Sequence, residues 1–196
     1  MTDELSMKVI QDHLSELSDL AARVSGELGQ SVGHVADRVL ATFANGGKIM
    51  FCGNGGSAAD AQHLATEYVV RFSRERRALP ALALTTDTSL ITAGANDYGY
   101  ETIFSRQVEA LGRAGDLLIL HSTSGESPNL MLAAETASRL GVGTVALLAK
   151  GGGRLHSLVD LALVVPTDST ARAQELHLAI GHIVCDLVDR DIAGDR

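Results

Sequence analysis

Lys48-Ile49-Met50-Phe51-Cys52-Gly53-Asn54-Gly55-Gly56-Ser57 is an apolar run that dissolves into small residues. Ala58-Ala59-Asp60-Ala61-Gln62-His63-Leu64-Ala65-Thr66-Glu67 follows with a helical pattern. A second stretch repeats the arrangement. Asp116-Leu117-Leu118-Ile119-Leu120-His121 leads into Ser122-Thr123-Ser124-Gly125-Glu126-Ser127, and Pro128-Asn129-Leu130-Met131-Leu132-Ala133-Ala134 opens the next helical pattern. A strand ending in small residues at a helix N-terminus leaves backbone N–H groups free at the positive end of the helix dipole. That arrangement binds anions. Two of them in one sheet suggest a ligand carrying a phosphate and several hydroxyls.

Strand candidates span residues 48–52, 81–84, 116–120, 144–149 and 161–165. Most are continuous apolar runs, as strands covered on both faces are. Helical patterns fall at 58–70, 101–111 and 127–140, with a short turn at 154–158 and a long helix over 170–189. This alternation predicts an α/β fold, a doubly wound, five-stranded parallel sheet flanked by helices and joined by right-handed crossovers. Ligands of such sheets sit at the carboxyl ends of the strands, where both turns fall.

Residues 1–45 read as N-terminal helices. Leu5, Val9, Leu14, Leu17, Leu20 and Val24 recur at roughly helical spacing, and a break is expected from Gly26 to Gly29. A second helix is expected over 32–44, stopped by Asn45-Gly46-Gly47. Residues 1–196 are expected to form one domain, with helices over 1–45 and the α/β core over 46–190.

The formal net charge of −8 argues against a nucleic-acid or anionic-membrane surface. An anionic substrate must then be held by local N–H groups and hydroxyls. Arg71, Arg74, Arg76 and Arg77 form one basic cluster, with Glu75 interspersed. It reads either as a solvated helix end or as a rim that draws in a phosphate. No apolar run approaches the ~20 residues of a membrane span. Met1-Thr2-Asp3-Glu4 has no signal-peptide character, so a cytoplasmic location is expected. Cys52 and Cys185 lie in apolar surroundings without metal-finger spacing and read as small core residues.

The Gly53–Ser57 turn lacks the G-x-G-x-x-G spacing of a dinucleotide fold and the Gly-Lys-Ser/Thr ending of a Walker loop. Ser122, Thr123, Ser124 and Ser127 place four hydroxyls around one glycine, and each can donate to a phosphate oxygen. Helix capping explains one or two of the four. His63 and Glu67, four apart, share a helix face. On the last helix Gln174, His177 and His182 cluster. Gln174 and His182 are two turns apart, roughly 12 Å along the axis. His177 points to the other side and reads as structural. The set His63, Glu67, Gln174 and His182 suits a divalent metal such as zinc, and without one Glu67 and a histidine form an acid/base pair. Asn96 and Asp97 are expected in a turn, serving the backbone or binding sugar hydroxyls. Asp87 is expected to cap a short helix.

These residues resemble a known family. Cys52-Gly53-Asn54-Gly55-Gly56-Ser57-Ala58-Ala59-Asp60-Ala61-Gln62-His63 resembles the signature of the phosphoheptose isomerases, in the sugar isomerase (SIS) superfamily. So do Leu84-Thr85-Thr86-Asp87-Thr88-Ser89, Ala95-Asn96-Asp97-Tyr98-Gly99, Ser122-Thr123-Ser124-Gly125 and Arg172-Ala173-Gln174-Glu175-Leu176-His177. The likeness covers roughly residues 30–190. It implies an aldose–ketose isomerase that converts sedoheptulose 7-phosphate to D-glycero-D-manno-heptose 7-phosphate through an enediol, supplying heptose for glycoconjugates. It also implies a homotetramer with active sites at subunit interfaces and one zinc ion per subunit. By this resemblance the metal falls on His63, Glu67, Gln174 and His182. The general base falls on Glu67 and its acid partner on His182. Substrate contacts fall on Asn54, Gly55, Gly56, Glu67, Asn96, Asp97, Ser122, Thr123, Ser124, Ser127 and Gln174.

Two positions depart from the family, which usually carries an apolar residue at His121 and Asn at Glu126. A carboxylate beside a phosphate loop is unfavourable unless it points away or meets an arginine. A related sugar phosphate, as in secondary metabolism, therefore stays an alternative. Relatives that bind the replication initiator share both turns but lack the glutamate and the final histidine. Glu67 and His182 favour an enzyme over such a module, and no basic helix-turn-helix segment supports a sugar-phosphate sensor.

Overall fold

The computed structural model describes residues 3–194, from Asp3 to Gly194. Five strands form one parallel sheet: β1 (Ile49–Gly53), β2 (Ala81–Ala83), β3 (Leu117–Ser122), β4 (Gly143–Leu148) and β5 (Leu161–Val164). Their order is β2-β1-β3-β4-β5, with every neighbouring pair parallel. The helices are α1 (Asp3–Ala44), α2 (Gly56–Val69), α3 (Thr88–Tyr98), α4 (Ser105–Leu111), α5 (Pro128–Arg139) and α6 (Thr170–Ala193). The expected doubly wound sheet is what the chain adopts.

Side chains alternate across a strand, so each strand feeds two cores. Ile49, Phe51, Leu117, Ile119, Val145, Leu147 and Leu163 face the side covered by α1, α2 and α6. Met50, Cys52, Leu118, Leu120, Ala146 and Leu148 face the side covered by α4 and α5. Burial on both faces explains why the strands read as unbroken apolar runs. Cys52 and Cys185 are free and buried, as expected of small core residues.

The N-terminal region differs from its expectation. α1 is one helix of 42 residues, with no break at Gly26 to Gly29. Its buried stripe, Leu20, Val24, Val32, Val35, Ala36, Val39 and Phe43, keeps helical spacing straight across the glycines. A glycine in a helix costs about 1 kcal/mol against alanine. A side chain on that stripe contributes about 1.5–3 kcal/mol when buried, so the stripe wins.

The helix expected over 101–111 is also shorter. A 3-10 turn covers Tyr100–Thr102, and α4 begins only at Ser105, after the buried Ile103 and Phe104. The local caps follow their residues. Asp87 Oδ1 accepts from the N–H of Leu90 at 2.9 Å, Ser169 caps α6, and Pro128 opens α5.

Candidate active site

Both small-residue turns leave the carboxyl edge of the sheet side by side, because Gly53 and His121 are register partners on β1 and β3. A reciprocal amide pair joins them. Asn54 Nδ2 donates to Asn129 Oδ1 at 3.0 Å, and Asn129 Nδ2 donates to Asn54 Oδ1 at 2.9 Å. Tyr100 adds its hydroxyl to Asn54 Oδ1 at 3.1 Å. The Asn54 side chain is thus committed to holding the turns together. Sequence reading overlooked Asn129; its place one residue into α5, beside the serine turn, was the available clue.

In the second turn, Ser122 Oγ accepts from the N–H of Gly125 and Ser124 Oγ from that of Glu126. These hydroxyls shape the turn. Ser127 is the N-cap of α5 but makes no side-chain cap. No hydrogen bond among the described residues uses the Thr123 or Ser127 hydroxyl. Gly125 has φ +66, and a Cβ there would collide with the Gly152 carbonyl. The loop after β4 therefore lies directly against the serine turn. Glu126 meets an arginine, the condition under which a carboxylate is tolerated here. Its Oε2 accepts from Arg154 Nε and its Oε1 from the Arg154 N–H, both at 2.8 Å. The bonds from Arg154 hold the Glu126 carboxyl below its ordinary pKa.

Gln174 and His182 approach different parts of α2. The Gln174 amide rests 3.5 Å from Ser57 Oγ, so close over Gly56 that a Cβ there would lie 2.7 Å from Nε2. A side chain at Gly56 would push that amide aside. His182 lies farther along α6 and meets His63, with Nε2 to Nε2 at 2.9 Å. His63 Nε2 is also 3.3 Å from Glu67 Oε1. One ligand atom from each of His63, Glu67 and His182 lies within 4.8 Å of the others. Two imidazole nitrogens and a carboxylate oxygen at that spacing fit a divalent metal. Partial burial first, then the adjacent His63 ring, lowers the His182 pKa, with Glu67 opposing. Asp60, one turn before His63, has its pKa raised by burial, and its Oδ2 is buried without a hydrogen-bond partner.

Asn96 and Asp97 lie on α3, an exposed helix, rather than in a turn. Asn96 Nδ2 donates to Asp97 Oδ1 at 2.7 Å. His177 is fully buried, with Nε2 3.0 Å from the Leu148 carbonyl, in keeping with a structural place. The arginine cluster divides: its exposed members fit the solvated helix end, and Arg76 does not. Arg76 is buried against Asp189, and Arg71 pairs with Glu75 at the surface.

A family model described as the SIS domain matches residues 12–149. The chain is 52% identical to the phosphoheptose isomerase of Akkermansia muciniphila over 185 residues, 94% of each chain. It is 53% identical to that of Burkholderia pseudomallei over 178 residues, 90% of each. Among solved structures, a phosphoheptose isomerase from Francisella tularensis superposes with a TM-score of 0.92. It is 37% identical, covering 97% of this chain and 100% of that one. The enzyme from Neisseria gonorrhoeae gives 0.88 at 41% identity, covering 93% and 98%.

Proposed function

This chain belongs to the phosphoheptose isomerases of the SIS-domain family, and we propose that it converts sedoheptulose 7-phosphate to D-glycero-D-manno-heptose 7-phosphate. The observation that carries the reading is the meeting of His63 and Glu67 on α2 with His182 on α6, 119 positions from His63. The same relatives disfavour a non-catalytic binding module.

The isomerisation moves a proton between adjacent carbons. Glu67 removes a proton from C1 of the ketose, and an enediol forms as the C2 oxygen gains a proton. His182 carries protons at the two oxygens, and C2 is then protonated to give the aldose. Thr123 and Ser127, with the N–H groups of the serine turn, hold the phosphate. Gly55, Gly56 and the first turn bind along the sugar, with Asn96 and Asp97 as further contacts. Fixing the phosphate presents the carbon chain to Glu67. In this reading His63, Glu67 and His182 would hold a zinc ion, one per subunit, which would supply Lewis-acid polarisation of the carbonyl, while Gln174, at the loop end of α2, would serve as a substrate contact.

We place the enzyme in the cytoplasm as a homotetramer. Among the described residues no helix is long and apolar enough to cross a membrane, and both cysteines are unpaired. Exposed apolar residues on α1 support self-association.

Replacing Glu67→Gln tests the assignment. Turnover of sedoheptulose 7-phosphate disappears while the sugar phosphate still binds by calorimetry. A near wild-type rate removes Glu67 from the chemistry.

A further inference from the structure

Arg76 and Asp189 form an ion pair that the reaction chemistry does not use. Each side chain is 2% exposed, with Nε 2.7 Å from Oδ1. Burying two charges is tolerated when their remaining polar atoms are also met. Arg76 Nη2 donates to the Glu67 carbonyl at 2.7 Å. Nη1 donates to the Tyr68 carbonyl at 2.8 Å and to that of Arg77 at 3.0 Å. Asp189 Oδ2 accepts from the backbone N–H groups of Ser73 and Arg74, at 3.0 and 3.2 Å.

The Glu67 and Tyr68 carbonyls lie in the last turn of α2, where helical N–H donors run out. Asp189 lies seven residues past His182 on α6, about two turns on and nearly on the same face. One planar guanidinium therefore joins the backbone of Glu67 to the helix that carries His182. We propose that Arg76, anchored by Asp189, is a positioning residue that sets α2 against α6 so that Glu67, His63 and His182 converge. This rests on the isomerase reading of that group. A lysine is a point charge and does not span two carbonyls and a carboxylate in one plane.

A purely stabilising pair is replaceable by neutral side chains of similar volume. A positioning pair is not, and the double variant Arg76→Met/Asp189→Asn separates the two. It leaves no unpaired buried charge, and the asparagine keeps an acceptor for the Ser73 and Arg74 amides. The expected result is cooperative unfolding, kcat lowered roughly 10–100-fold and KM changed less than about threefold. Zn2+ affinity, read by competition with a chromophoric chelator, falls by about tenfold or more. If the double variant does not fold, Arg76→Lys carries the same two readouts. A folded variant with kcat and Zn2+ affinity within twofold of wild type overturns the proposal. A wild-type chain that leaves sedoheptulose 7-phosphate unchanged sinks the isomerase reading instead, and the Zn2+ titration then decides on Arg76 alone.

Discussion

His121 stands at the end of β3 with both ring nitrogens buried and unbonded, edge-on to His177 at 6.2 Å. Burial first, and then the neighbouring His177, pushes its imidazole pKa down to about 3. The unfolded chain therefore takes up a proton near pH 6.5 that the folded chain refuses. Stability is complete above that pH and is lost as pH falls toward 3. The expected loss is about 1.4 kcal/mol per pH unit in that window. His177, lowered mainly by its own burial, adds to the trend. His121→Val removes the first contribution and leaves the second. Urea unfolding at pH 7, 6 and 5 then shows a shallower decline for the variant; equal slopes would exclude His121 as the source. Glu126 shows the same environmental logic at the surface. A carboxylate that looks misplaced beside the serine turn is accounted for by the Arg154 bonds on both of its oxygens.

Among the elements, α1 puts propensity and packing in opposition most plainly. Gly26 and Gly29 lie inside the helix, and nothing in the chain stands within 4 Å of a Cβ built on either. Their backbone is helical, so a methyl group adds helix propensity without a clash. Gly29→Ala should stabilise the chain by about 0.5–1 kcal/mol, seen as a rise of a few degrees in Tm. An unchanged or lower Tm would show that a neighbour occupies that face. Element boundaries elsewhere follow local chemistry closely. Ser127-Pro128 starts α5 and Ser169 starts α6, as cap residues do.

At the scale of the whole molecule, the described surface keeps unusual apolar groups. Leu14 is 62% exposed, Leu5 51% and Ile10 50%, all on the first half of α1, and α3 buries none of its residues. Such patches mark surfaces that meet another protein. In the proposed homotetramer other copies of the chain cover them. Sedimentation equilibrium should return four times the 20.6 kDa chain mass. Ile10→Glu/Leu14→Glu should shift the protein to smaller species. A wild-type chain that sediments as a monomer would refute the assembly.

The sequence by itself determined the parallel sheet, the two small-residue turns at its carboxyl edge and the helix face that His63 and Glu67 share. Those features are written in local periodicity and in residues three to four positions apart, whose geometry a single helix or strand dictates. The tertiary structure decided how His182 meets His63, a meeting the resemblance had implied, and it alone decided that Gln174 rests on the loop end of α2 and that Asn129 locks Asn54. It also decided that Arg76, one of four arginines in a row of similar residues, is the buried one. These outcomes depend on how α2, α5 and α6 settle against the sheet. That is a matter of packing between segments more than seventy positions apart, and no local pattern in the chain encodes it.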